Sequence, residues 1–164
     1  MKTVCIIRHA KSSREDAELA DIDRPLAPRG IRDAPVMGER LRAMDVRFDV
    51  VYSSPATRAK STAELLAEGM RDSAERITIV ELLYGGDDTD ILEFLASRSD
   101  ALDSVALVLH NPEATALSNR IGDMPVDDMP TCGVYIVRID TDRWVDVPTN
   151  RGETVAYEFP KKHA

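Results

Sequence analysis

The chain has 164 residues, 43% of them hydrophobic and 30% charged, with a formal net charge of −8 at pH 7. That length and apolar share fit one domain over residues 1–164 with a single core. The acidic balance disfavours nucleic acid and anionic membrane surfaces as partners unless basic side chains are locally concentrated. Cys5 and Cys132 lie far apart with no Cys-x-x-Cys spacing, and so read as buried free thiols in a reducing compartment. Met1-Lys2-Thr3 leads straight toward an apolar run, without signal-peptide character, and no run reaches transmembrane length. A soluble, cytoplasmic, monomeric protein is expected.

The first element is Val4-Cys5-Ile6-Ile7, an unalternating apolar run that delivers Arg8-His9 at its carboxyl end, as a strand buried on both faces does. Lys11 to Asp23 is polar and aperiodic and reads as a surface loop that shapes a rim. Asp23-Arg24-Pro25-Leu26-Ala27-Pro28-Arg29-Gly30 precedes an amphipathic segment toward Met44. Pro35 breaks that segment's pattern, so Asp33 is a candidate N-cap and the helix is expected in two pieces or kinked. Phe48 to Ser53 is β-branched and aromatic. Ser54-Pro55 then hands over to a helix from Pro55 to about Glu68 that carries Arg58 in its first turn.

Ile77 to Val80 is a third strand, followed by Glu81-Leu82-Leu83-Tyr84-Gly85-Gly86 and a helix capped by Asp87 or Asp88 with Ile91, Phe94 and Leu95 inward. Ser104 to Leu109 is another doubly buried run and ends at His110-Asn111-Pro112, where Asn111 can cap a helix through Ile121. Met124 to Pro130 is a loop. Cys132–Ile139, Trp144–Val147 and Thr154–Phe159 read as strands without intervening helices, hence as antiparallel additions at a sheet edge. Lys161 to Ala164 reads as a frayed tail in which His163 has no role.

Three strands expected to be parallel therefore end in Arg8-His9, in Ser53-Ser54 shortly before Arg58, and in His110-Asn111. In such a sheet, ligands bind beyond the carboxyl ends of the strands, so these groups can share one crevice. Arginine forks match phosphate oxygens, and imidazoles can donate protons to phosphate or attack phosphorus. Two histidines with arginines between them and no carboxylate in the same motifs make a poor zinc shell, and no P-loop pattern occurs.

On these residues the chain resembles the histidine phosphatase superfamily, in its small SixA-type branch of phosphohistidine phosphatases. Arg8-His9-Ala10 is similar to that family's Arg-His-Gly signature, and Asp23-Arg24-Pro25-Leu26 with Arg29-Gly30 to a segment typical of the SixA-type branch. Ser53 to Ala59 with Thr62-Ala63-Glu64 resembles the second motif, and His110-Asn111-Pro112 the third. The resemblance implies an α/β three-layer sandwich with a mostly parallel sheet. It further implies phosphate held by Arg8, Arg58 and His110, with His9 phosphorylated in turnover and no metal or cofactor. Glu81 resembles the acid position of larger relatives, and Ser12, Ser13 and Asn111 are candidate phosphate contacts. The chain departs from the pattern at Ala10, in place of glycine, and at Leu109, where a glycine often stands and which is expected to narrow the pocket.

The leading expectation is a metal-independent phosphatase of phosphohistidine in a protein. The second is a phosphatase of a small phosphate ester or phosphorylated metabolite. The third, from another class, is a phosphate- or phosphoprotein-binding module without turnover.

Overall fold

The computed structural model describes residues 1–164. Its centre is a six-stranded sheet in the order β3-β2-β4-β1-β5-β6, with β1 (Lys2–Arg8), β2 (Val50–Ser53), β3 (Ile77–Ile79), β4 (Ser104–Leu109), β5 (Val134–Ile139) and β6 (Glu153–Glu158). The first four in that order run parallel; β5 and β6 add antiparallel, as expected for the chain's last third.

Period-two alternation divides the core. Val4, Ile6, Val105, Leu107 and Leu109 join Tyr135, Val137 and Ile139 on one face of the sheet, beneath α3 (Asp88–Ala96) and α4 (Glu113–Ile121). Cys5, Ile7, Ala106, Val108, Val134 and Ile136 face the other way, toward α1 (Pro28–Ala43) and α2 (Thr57–Met70). Both central strands are thus apolar on both faces because both faces are covered by helices, and the result is a three-layer α/β sandwich.

This layering also places the site. The helix after β4 lies on one face, whereas those after its neighbours β1 and β2 lie on the other, so the chain parts at the carboxyl ends of these strands and leaves a crevice there. No helix is long and apolar enough to cross a membrane.

Four elements differ from the sequence expectation. The first helix is continuous from Pro28 to Ala43, with Pro28 at its first position and Pro35 inside it; Asp33 lies within the helix instead of capping one. Pro35 deprives the Ile31 carbonyl of its usual partner, but Ile31 is exposed on this surface helix, where water can serve that group. Helix α2 starts at Thr57, beyond Pro55, because the Ser54 hydroxyl accepts from the Ala56 N–H at 3.2 Å and holds the intervening residues in a turn.

Trp144–Thr149 is a 3₁₀ turn and not a strand. Trp144 is fully buried, its indole N–H donating to the Leu102 carbonyl at 2.7 Å and its backbone N–H to the Asp100 carboxylate at 2.8 Å. Satisfying those donors while burying the ring holds the segment off the sheet, and Pro148 could not donate to a ladder. The C-terminal residues are ordered, forming a turn over Pro160–His163: Lys162 and His163 both pair with Glu158, and Arg40 of α1 donates to the Phe159 and Pro160 carbonyls.

The segment after β1 is braced as well. Ser12 and Leu26 form an antiparallel bridge, the Ser13 N–H donates to the Pro25 carbonyl at 2.8 Å, and the Ala27 N–H donates to the Lys11 carbonyl at 2.8 Å. Gly30, in the first turn of α1, lies against the same carbonyl: a Cβ there would fall 2.3 Å from the Lys11 oxygen. The Arg29-Gly30 pair thus has a steric reason, since α1 can approach the Lys11 backbone only where no side chain intervenes. Gly30→Ala is expected to lower stability by about 1–3 kcal/mol, as overpacking does, and to raise KM for any phosphorylated substrate by displacing the Lys11–Ser12 backbone. Thermal denaturation and steady-state kinetics check both, and unchanged kinetics would show that the loop does not position the site.

Candidate active site

Arg8 is the last residue of β1, and the residue after it is held from both sides. The His9 N–H donates to the Leu109 carbonyl of β4 at 3.0 Å, and the His9 carbonyl accepts from the Cys132 N–H at 3.0 Å. Cys132 reaches that position with a left-handed backbone, φ 60°. The His9 ring is then oriented by its neighbour: Nδ1 lies 2.7 Å from the Ala10 carbonyl oxygen. A carbonyl can only accept, so Nδ1 carries the proton and Nε2 keeps its lone pair. Ala10 is itself fixed, its N–H donating to the Thr62 hydroxyl at 2.9 Å while Thr62 donates to the Arg58 carbonyl one turn earlier in α2 at 2.7 Å.

The strand ends do converge. The His9 and His110 rings lie 5.1 Å apart between centroids, and with Arg8 and Arg58 they line one cavity of about 350 Å³. Burial first, then the neighbouring His110, Arg58 and Arg8, lowers the His9 pKa to about 3, against the pull of the Ala10 hydrogen bond. Burial and the charge of Arg58 lower that of His110 to about 4. Both imidazoles are neutral near pH 7.

Each arginine is positioned by hydrogen bonds to a single residue. Arg8 donates from Nη1 to the Met129 carbonyl at 2.7 Å. Arg58, buried at the start of α2, donates to the Asp21 carbonyl at 2.6 Å and to the Asp21 carboxylate at 2.9 Å. The buried side-chain polar atoms left without a partner are Arg8 Nε, Arg58 Nε and His110 Nδ1, and all three belong to this site. Desolvated polar atoms left unpaired cost stability unless a ligand meets them. On its other nitrogen, His110 Nε2 lies 2.8 Å from the Ser54 hydroxyl.

The remaining expected contacts divide. Ser12 lines the cavity and accepts from Arg24, whereas Ser13 is not in the wall, its hydroxyl accepting from the Glu15 N–H at 3.2 Å. Asn111 lines the cavity but is used as a brace: its amide donates to Asp128 at 2.8 Å and Met129 at 3.2 Å, and its oxygen accepts from Thr115.

Glu81 stands in solvent outside the cavity, because Leu83 drops into the core and anchors its 3₁₀ turn so that Tyr84, not Glu81, reaches the wall. Leu109 is fully buried in the core on the α4 side and does not narrow the pocket. Ala10 packs into the opposite core, beneath the site.

Sequence reasoning missed Asp21, Arg24, Tyr84, Lys11 and Arg14 among the lining residues. Asp21 is the centre of this group. Its carboxylate accepts from the Tyr84 hydroxyl at 2.7 Å and pairs with Arg58 and Arg24, each at 2.9 Å. The Tyr84 hydroxyl, Arg58 and Arg24 hold its carboxyl well below the usual carboxylate range, so it is ionised, and the same contact raises the pKa of Tyr84. The wall thus carries five cationic side chains, Arg8, Lys11, Arg14, Arg24 and Arg58, against the single carboxylate of Asp21, in a chain of net charge −8. No group of three or more His, Cys, Asp or Glu side chains converges as a metal ion would need.

Known proteins carry the same arrangement of chain. The family profile for the histidine phosphatase superfamily (branch 1) matches residues 4–84. An uncharacterised protein of Mycobacterium tuberculosis is 34% identical over 165 residues, covering 94% of this chain and 100% of the relative. Among solved structures, one from Nakamurella multipartitia that bears the name phosphohistidine phosphatase SixA superposes with a TM-score of 0.84 at 24% identity, covering 98% of this chain and 96% of that one. The protein histidine phosphatase SixA in complex with tungstate superposes at 0.80 with 22% identity, covering 96% and 97%. The motifs at the ends of β1 and β2, the layered sheet and these matches agree: the chain belongs to the histidine phosphatase superfamily (branch 1), with the fold of its SixA-type members.

Proposed function

We propose that the protein hydrolyses phosphohistidine borne on another protein, through a phosphoryl group carried transiently on His9. The observation that carries this reading is the hydrogen bond from His9 Nδ1 to the Ala10 carbonyl, which leaves a neutral, fixed imidazole with its Nε2 lone pair free amid arginines. Nε2 forms a bond to phosphorus as the bond from phosphorus to the substrate's imidazole nitrogen breaks. Water then attacks phosphorus, the bond to Nε2 breaks, and inorganic phosphate leaves with His9 restored. Arg8, Arg58 and the Nδ1 side of His110 stabilise the phosphoryl oxygens as charge spreads over them.

Two features favour a phosphohistidine substrate over a phosphate ester. The one carboxyl group in the wall, Asp21, is ionised and bound to Arg58, Arg24 and Tyr84, so no carboxylic acid stands ready to protonate an alkoxide. An imidazole protonated on its far nitrogen leaves as a neutral ring and needs none. The cavity is also open, with short connections between the motifs and no long insertion above it, which suits the surface of a protein. Turnover confined to small phosphate esters and absent on a phosphohistidine protein would favour the second reading, a metabolite phosphatase.

Substrate labelled on phosphorus, mixed with enzyme and quenched in alkali, is expected to leave label on the peptide containing His9. His110→Ala should take up label slowly and His9→Ala none; label on His110 would overturn the assignment. Arg58→Lys exchanges a two-pronged fork for a point charge and releases Asp21. The loss of charge-assisted hydrogen bonds worth about 1.5–3 kcal/mol is expected to lower kcat/KM roughly ten- to 150-fold, and near-normal kinetics would show that Arg58 serves only its helix.

Ring-nitrogen NMR should find His9 neutral at pH 5 with its proton on Nδ1. In the folded state His9 takes up a proton only near pH 3, whereas in the unfolded chain it does so near the ordinary imidazole value of 6.5. Stability is therefore full above about pH 6.5 and falls as the pH drops toward 3. His9→Gln should flatten that part of the melting-temperature profile, and an unchanged profile would contradict a buried neutral ring.

A further inference from the structure

Beside the catalytic cavity lies a second depression of about 460 Å³ that shares Arg8, Lys11 and Thr131 with it. Its far side is made by Arg29 from the first turn of α1 and by Phe159, Pro160 and Lys161 from the chain's end. The walls are built. Arg40 holds the Phe159 and Pro160 carbonyls at 2.9 and 3.0 Å, and Arg29 donates to the Thr131 hydroxyl at 3.3 Å. Four cations, Arg8, Lys11, Arg29 and Lys161, face this groove against one carboxylate, Asp33, whose contact with Arg29 is long at 4.0 Å. In a chain of net charge −8, cationic side chains thus line a continuous track from the catalytic cavity to the C-terminal turn.

We infer that this groove binds acidic residues flanking the phosphohistidine of the protein substrate, as a specificity site separate from the chemistry. The inference rests on the phosphohistidine reading above and deepens it. Charge complementarity selects carboxylates: Lys11, Arg29 and Lys161 are exposed rim cations of the kind that set partner choice and encounter rate. Phe159, Pro130 and Pro160 offer an apolar floor on which the carbon chain of a Glu or Asp can lie. The groove adjoins Arg8, so side chains a few residues from the phosphorylated one can reach it while the phosphoryl group meets His9. Arg29 and Lys161 do not touch the catalytic cavity, which lets the two functions be separated by mutation.

The test uses the full chain and three substrates: a phosphohistidine peptide flanked by glutamates, the same peptide with glutamines in their place, and the small phosphoramidate ion. The native protein should turn over the glutamate peptide with about tenfold lower KM than the glutamine peptide and with the same kcat. In the double variant Arg29→Glu, Lys161→Glu, KM for the glutamate peptide should rise about tenfold or more, with little change for the glutamine peptide or phosphoramidate. Preserved phosphoramidate turnover shows that the variant is folded; if it is lost, the milder Arg29→Gln, Lys161→Gln pair is measured the same way, with the same expected pattern. Equal KM for the two peptides on the native protein, or a variant that weakens all three substrates alike, would overturn the groove's role while leaving the phosphohistidine reading intact. Turnover of phosphoramidate but of neither peptide would overturn the substrate reading and this inference with it.

Discussion

The contact from the His9 ring to the Ala10 carbonyl is the interaction on which the rest depends. It spans adjacent residues, so it could form in an unfolded chain, but there it would orient nothing. It acquires direction because the backbone at His9 is hydrogen-bonded to Leu109 on one side and to Cys132 on the other, and because Thr62 holds the next N–H. The parallel core, the left-handed turn at Cys132 and the helix that carries Arg58 therefore meet at the backbone of His9 and Ala10. Thr62 ties the imidazole's backbone to that helix, since the hydroxyl that receives the Ala10 N–H also donates to the Arg58 carbonyl. Moving either Arg58 or the imidazole would disturb both.

Electrostatics imposes the second condition. Five cationic side chains around two imidazoles would repel one another if the rings were charged, and burial ensures that they are not. Asp21 offsets part of the remaining charge and occupies the fork of Arg58. Its carboxylate stands where an incoming anion would also be drawn, so any anion that reaches Arg58 has to share or take over that guanidinium.

How far the sequence could be read follows from this physics. Arg8, His9, Arg58 and His110 sit where strands end or a helix begins, and the apolar runs that announce those elements also announce the positions after them. The layered fold was legible for the same reason, including the antiparallel edge. Asp21, Arg24 and Tyr84 lie in segments with no period, where position is set by contacts between distant loops, so nothing local marks them. Glu81 and Tyr84 share one short turn, and which of them meets the cavity is decided by Leu83 entering the core. Trp144 misled for a related reason: its β-prone composition describes burial, and burial was achieved in a turn against Leu102 and Asp100 rather than in the sheet. Leu109 was misjudged because its face depends on strand register, and in register with Arg8 it points to the core.

The two cysteines have a consequence for the conditions the protein can tolerate. Both thiols are buried, that of Cys132 is pushed up to about 12 by burial first, and that of Cys5 is raised further, so neither offers a thiolate at physiological pH. Cys132 nevertheless adjoins the site, and serves it through its backbone N–H rather than its sulfur. Peroxides and alkylating agents, which silence phosphatases built on a thiolate, find no such group here. With its sulfur shielded and both thiols held protonated, the cavity presents no thiolate for such reagents to attack.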